Sequence, residues 1–228
     1  MRWCIEAGGP ELFGAESGCA EFEQRVLRFD GAADEQTSAS DDEVLYVLAG
    51  RGRASIGGEG ADLEPGSAAY VPRGTSWRVT ETDGLELLSV LVRDPLPAAG
   101  AKHSVLAVDD QATGGATAGR SFRILSDPAV GCASVTQFVG YIPVGRAPDH
   151  FHAYDEVVYV LEGTGALHID GETAPLTAGS AVHLPARLVH CLENVGPSEM
   201  RVLGVFRPAG SPAEAYYPDG TPAAVPEH

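Results

Sequence analysis

The chain has 228 residues, 44% of them hydrophobic, and a formal net charge of −17. That length holds one large β domain or two of about 100 residues each, and the hydrophobic share suffices for a buried core. The acidic balance argues against nucleic acid and anionic membranes as partners, because both are held by basic patches, and an anionic ligand would need local positive charge from an arginine or a metal.

Glycine (28) and proline (16) are frequent and spread out, as in a chain of many short strands joined by turns. The four cysteines (Cys4, Cys19, Cys132, Cys191) show no CxxC pairing, which reads as a reducing, cytoplasmic compartment. The opening MRWCIEAGGPELFG has no apolar stretch of a secretory signal, and no apolar run approaches a membrane span.

In chain order, residues 1–20 read as a Gly-rich lead-in, with one strand laid on another domain or protomer. EFEQRVLRFD (21–30) alternates as a strand, GAADEQTSASDD (31–42) is a polar loop, and DEVLYVLAG (42–50) is a strand closed by Gly50 and Gly52. RASIGGEGADLEPG (53–66) gives a strand, a glycine turn and a second short strand. SAAYVPRGTSWRVTETDG (67–84) gives a strand, a Pro/Gly corner and another strand, and LELLSVLVRD (85–94) is strongly apolar. Residues 95–120 turn to Pro, Ala, Gly and Thr and read as a boundary, with a short strand at SVLAV. The strand pattern resumes at Ser121 with SFRILSD, CASVTQFVGYI, DEVVYVLEGTG, ALHIDG, AVHLPA, VHCLEN and MRVLGVF. The tail from Arg207 is rich in Pro and Ala and reads as irregular. The expected division is an N-terminal domain at 1–100, a linker at 101–120, a C-terminal domain at 121–210 and an irregular tail at 211–228.

An internal repeat organises these elements. DEVLYVLAGRG (Asp42 to Gly52) and DEVVYVLEGTG (Asp155 to Gly165) agree at eight of eleven positions, 113 residues apart. LEPGSAAYVP (Leu63 to Pro72) and LTAGSAVHLP (Leu176 to Pro185) carry the same offset of 113. The chain therefore reads as a tandem duplication of a β unit. Closing such strands into a barrel or two-sheet jelly roll removes exposed edges.

Each copy resembles a cupin, the conserved-barrel jelly roll, and the whole chain is similar to a bicupin. In the second copy the first cupin motif reads His150, His152, Glu156 and Gly163, with Gly145 standing one place off the expected leading glycine. The second motif reads Gly179, Pro185, His190 and Asn194, with Arg187 where the family has its second glycine. The resemblance implies an all-β chain of two tandem jelly-roll barrels and a metal held by His150, His152, Glu156 and His190. The first copy keeps Glu43, Gly50, Gly66, Pro72 and Gly74. By the offset, Thr37 stands for His150, Ala39 for His152 and Trp77 for His190. One carboxylate does not hold a transition metal, so a metal is expected in the second copy alone.

Strand alternation puts His150 and His152 on one face, and Glu156, four places on, continues that parity. Three imidazoles and a carboxylate leave one or two positions of an octahedral ion open. That suits Fe or Mn best, with Ni, Co or Zn as alternatives. Arg187, just before His190, reads either as an anion clamp or as a solvated turn residue. Tyr141, Tyr154 and Tyr159 are candidate pocket walls or strand fillers. One of Gln137 and Phe138 faces the interior. His168 and His183 read as structural or surface residues, and Cys191 as a packed thiol turned away from the metal. Arg187, Tyr141 and Gln137 are the substrate-binding candidates; no catalytic residue is assigned.

The leading functional expectation is a metal-dependent enzyme acting on a small organic metabolite, with non-haem dioxygenase chemistry in the C-terminal barrel. A non-oxidative isomerase, decarboxylase or hydrolase is the second reading, and a non-catalytic small-molecule-binding protein the third. A homodimer is also expected.

Overall fold

The computed structural model describes residues 5–7, 11–97 and 104–223. Part of the lead-in, residues 101–103 of the expected linker and the last five residues of the tail lie outside the described residues. The strands are β1 (Ile5–Ala7), β2 (Glu11–Phe13), β3 (Phe22–Phe29), β4 (Gln36–Thr37), β5 (Asp42–Ile56), β6 (Glu59–Leu63), β7 (Ser67–Val71), β8 (Ser76–Val92) and β9 (Ser104–Ala107) in the first half. The second half holds β10 (Thr113–Gly115), β11 (Ser121–Ser126), β12 (Thr136–Ile142), β13 (Gly145–Arg146), β14 (Asp155–Glu162), β15 (Thr164–Ile169), β16 (Glu172–Thr177), β17 (Ser180–Leu184), β18 (His190–Asn194) and β19 (Met200–Arg207). Among the described residues no helix is long and apolar enough to cross a membrane.

Strands β2 to β9 form one eight-stranded sheet built on two long members, β5 and β8. The start of β5 pairs with β7 and its end with β6, so one strand serves two faces. The register between β5 and β8 slips at Val47/Ala49, Ala49/Arg51 and Arg53/Ala54. Such bulges bend a ladder and let one sheet curl over its own core. Gly50 sits at this bend with φ 71°, and a Cβ there would lie 2.0 Å from the Gly84 carbonyl oxygen, so only glycine fits. The core inside the curl is Leu45, Val47, Ile56, Leu63, Trp77, Val79, Leu85 and Leu87.

In the second half the equivalents of β5 and β8 are interrupted. Gly163, at φ 96°, separates β14 from β15, and residues 195–199 separate β18 from β19. The result is a seven-stranded sheet in the order β1-β17-β14-β19-β12-β11-β10 and a four-stranded sheet in the order β13-β18-β15-β16. Their inner faces share a core of Val158, Val160, Leu167, Ile169, Leu176, Leu184, Leu192 and Val202. Apolar residues at every second position of β14 and β15 produce this, since alternate side chains of a strand face one side.

Two compact units emerge, and each is discontinuous in sequence. One comprises Met1–Gly8, Ala112–Ile124 and Thr136–His228; the other comprises Gly9–Gln111 and Leu125–Val135. Strand β1 of the lead-in pairs antiparallel with β17, far along the chain, with Ile5 opposite Val182 and Ala7 opposite Ser180. The segment read as a linker is structured where described: β9 is an edge strand on β7, and β10 pairs with β11.

Candidate metal centre

The histidines are positioned by backbone pairing before any side chain is considered. His150 and His190 form a two-way bridge, with N–H···O distances of 3.0 and 2.8 Å. This pins the loop after β13 to the start of β18 and brings the two rings to 4.8 Å between centroids. His152, two residues on, returns its ring to the same side, 5.2 Å from His150 and 5.7 Å from His190. One ring nitrogen from each of the three lies within 4.8 Å of the others.

The other nitrogen of each ring is fixed. His150 Nδ1 donates to the Pro148 carbonyl at 3.0 Å, His152 Nδ1 to the Glu214 carbonyl at 2.8 Å and His190 Nδ1 to the Leu188 carbonyl at 2.8 Å. A carbonyl oxygen only accepts, so Nδ1 carries the proton and Nε2 keeps its lone pair in all three. Burial pushes His150 down to about 4, helped by the neighbouring His152. His152 and His190 are lowered for the same first reason, burial. Three neutral imidazoles with converging lone pairs and backbone-anchored Nδ1 protons are the donor set that a divalent transition ion takes. The residues present therefore fit such an ion.

Glu156, the second residue of β14, lines the same cavity and is buried. Burial pushes its carboxyl up to about 8, partly offset by the Arg120 charge. It is not a member of the tight imidazole cluster. The cavity is open to solvent and has a mainly apolar wall that includes Phe122, Phe138, Ile142, Leu192, Val202 and Phe206. Phe138 can lie across β19 because residue 204 is glycine: a Cβ there would fall 2.3 Å from its ring.

The tail forms another part of the wall. Phe151 and Tyr216 bridge backbone to backbone at 2.9 and 3.0 Å, and their rings stack at 5.5 Å. The Tyr154 hydroxyl donates to the Glu214 carboxylate, which also accepts from Tyr216 at 2.8 Å. Pro212 and Ala215 line the cavity directly. The same tail supplies the carbonyl that orients His152, so the irregular segment expected at 211–228 is, as far as Ala223, a built part of the site.

Of the substrate-binding candidates, Tyr141 lines the cavity with the Arg123 guanidinium 5.7 Å above its ring. Gln137 and Arg187 are not among the lining residues: Gln137 is buried, and from the same strand Phe138 reaches the cavity. Arg187 is exposed and has a left-handed backbone, φ 66°, while its N–H donates to the His152 carbonyl at 2.8 Å. That conformation is the one glycine supplies at no steric cost. His183 pairs with Asp155 at 2.8 Å and His168 with Glu193 at 2.7 Å, both away from the triad. Cys191 is buried and its thiol donates to the Ala147 carbonyl. Sequence reading missed Arg120, Thr117 and Glu214. The first two sit in the stretch whose composition read as linker, and Glu214 contributes a backbone atom that no residue type advertises.

The equivalent place in the first copy is filled. Trp77 is 1% exposed, and its indole N–H donates to Glu43 at 2.8 Å. Ser89 and Arg25 donate to the other carboxylate oxygen of Glu43, at 2.5 and 3.3 Å. The register sets Gln36, not Thr37, opposite Trp77, one place from the residue that the constant offset names.

A family model described as "Cupin domain" matches residues 30–92 and 137–206, more than half of the chain. Over 62 residues the chain is 40% identical to the polyketide synthase CurC of Streptomyces cyaneus, covering 27% of this chain and 40% of that protein. The chain thus spans less than half the length of that relative. Among solved structures, a single-residue variant of the oxalate decarboxylase of Bacillus subtilis superposes with a TM-score of 0.71 at 15% identity, over 88% of this chain and 73% of that one. A structure described as a glyoxylate-induced protein from Pseudomonas aeruginosa gives 0.69 at 19% identity, over 82% and 74%.

Proposed function

This chain belongs to the cupin family, as two tandem jelly-roll copies, and on that premise we propose that its C-terminal barrel is a metal-dependent enzyme site for a small organic metabolite, with dioxygenase chemistry as the leading class. The observation that carries the reading is the tautomer lock: three buried imidazoles, each with Nδ1 bonded to a carbonyl, offer three free Nε2 lone pairs to one point. The ligands would be His150, His152 and His190, with Glu156 as the fourth from the cavity wall. When bound, a divalent transition ion would supply a Lewis-acid and redox centre.

The protein's own residues do the rest. The carbonyls of Pro148, Leu188 and Glu214 hold the rings in one orientation with the proton on Nδ1, and burial keeps Nε2 unprotonated. The aromatic wall of Phe122, Phe138 and Phe206 offers water no hydrogen-bond partner on that side of the cavity. Glu156, carrying its proton near neutral pH when no ion is bound, would release it on joining the ligand set, so metal uptake is coupled to proton release.

A non-oxidative reaction at the same centre is the second reading. It is favoured by the fold shared with Bacillus subtilis oxalate decarboxylase, one of whose structures concerns Mn(II) centres. The deciding experiment is metal analysis of protein purified without a histidine tag or chelator, followed by O₂ uptake with candidate organic acids. Stoichiometric Fe or Mn with O₂ consumption supports the dioxygenase. Metal with turnover but no O₂ uptake supports the second reading, and protein without stoichiometric metal ends both.

A further inference from the structure

Away from the three imidazoles and Glu156, the cavity wall is mainly apolar except on one side. There, a short turn between β10 and β11 brings in two polar side chains, Thr117 and Arg120. The turn is tight: Ala118 and Gly119 both have left-handed backbones, φ 60° and 72°, and Ala116 N–H donates to the Arg120 carbonyl at 2.8 Å. The chain therefore reverses within four residues and delivers Thr117 and Arg120 to the same cavity.

Each of these side chains has unused capacity. The Thr117 hydroxyl is buried without a hydrogen-bond partner among the described residues. Arg120 donates to the Leu192 carbonyl and lies against Cys191, while its interaction with Glu156 acts through space without a hydrogen bond. A guanidinium has five donors in a planar fork, so this one keeps donors free. A buried hydroxyl without a partner, beside a cation lining the same cavity, is costly to hold unless something completes it. In a chain of net charge −17, a locally cationic pocket is also a selective place for an anion.

We propose that Thr117 and Arg120 are the carboxylate-recognition pair of this cavity, and that the substrate class is a small carboxylic acid carrying an apolar group. The carboxylate accepts from the Arg120 fork and the Thr117 hydroxyl, and the apolar group lies on Phe122, Phe138 and Phe206. The proposal rests on the reading of the histidine triad as the metal centre only for what happens to the bound acid, not for its binding.

The test compares benzoate with its neutral isostere benzamide by calorimetry on the whole protein, with metal content measured on the same samples. Benzoate should bind at least about 10-fold more tightly than benzamide. Arg120→Gln should remove that preference, with metal content and benzamide binding unchanged. Thr117→Val should weaken benzoate by several-fold, and Arg120→Lys should retain part of the preference. The two conservative variants decide the matter if Arg120→Gln fails to fold. Equal binding of benzoate and benzamide, including binding of neither at millimolar concentration, overturns the proposal. So does a full benzoate preference in Arg120→Gln, or a loss of metal on that substitution. An Arg120-dependent preference in protein that holds no metal would leave this pair standing while ending the metal-centre reading.

Discussion

At the scale of single residues, the site depends on where protons sit. His152 owes its tautomer to the Glu214 carbonyl, and the tail is held there by the Tyr154 hydroxyl on the Glu214 side chain. Tyr154→Phe removes that tie and leaves the ring packed on Phe206. We expect metal affinity to fall by about 10-fold with the fold intact, read by competition against a chelating dye. The buried acid and bases also set a pH profile for the metal-free protein. His150, lowered to about 4 by burial, is neutral when folded, whereas the unfolded chain takes up its proton near the ordinary 6.5. Its contribution is present above the unfolded value and is lost as pH falls from there toward 4, and His152 and His190 act in the same sense. Glu156, raised to about 8 by burial, holds its proton when folded, so its contribution is present below 4.5 and is lost as pH climbs toward 8. Urea midpoints of the metal-free protein should therefore decline between pH 6.5 and 8, and Glu156→Gln should abolish that decline. His150, His152 and His190 were legible because their spacing is a two-residue strand period plus a separate short motif. Arg120 was not, because burial of a lone arginine in an Ala/Gly/Thr stretch is settled by tertiary packing. Strand parity showed that Gln137 and Phe138 face opposite ways, but it does not say which of them looks inward.

At the scale of elements, the turn before His190 connects sequence to strain most directly. Arg187 occupies a left-handed position, φ 66°, where the family resemblance leads one to expect glycine. A non-glycine residue there costs on the order of 1 kcal/mol. Arg187→Gly should thus raise stability by up to about 1 kcal/mol, less whatever the freer unfolded chain takes back, as a shift of the denaturation midpoint without change of slope. The side chain is exposed and off the cavity wall, so metal content should stay the same. Most strands were visible from alternation and turn residues. The continuity of β5 and β8 was not, because Gly50 and the TETDG stretch carry turn composition yet sit at bulges inside long ladders. The role of the tail was hidden for a related reason: Pro and Ala exclude a regular element, but they do not prevent Phe151–Tyr216 backbone pairing against the site.

At the scale of the whole molecule, the repeat and the folding units do not coincide. The sequence repeats with a constant offset, yet β1, from the first few residues, completes the sheet that holds β14, and Leu125–Val135 returns to the unit of the first copy. Removing residues 1–8 leaves the edge of β17 unpaired. We expect a lower melting temperature, by several degrees, and concentration-dependent association in light scattering, since a bare edge is a template for another chain. The duplication itself was plain in the sequence because short, nearly identical strands recur at one spacing. A lead-in strand laid on another domain was expected, but its partner β17 was hidden because three residues of strand carry no signal of their partner, and the return of Leu125–Val135 was not foreseen. This exchange of segments has an evolutionary consequence. A crossover at the repeat boundary, which the near-identical motifs would favour, would transplant a barrel without its own border strand. The two halves are thus free to diverge in place, as Trp77 and His190 have, but they are no longer free to be traded.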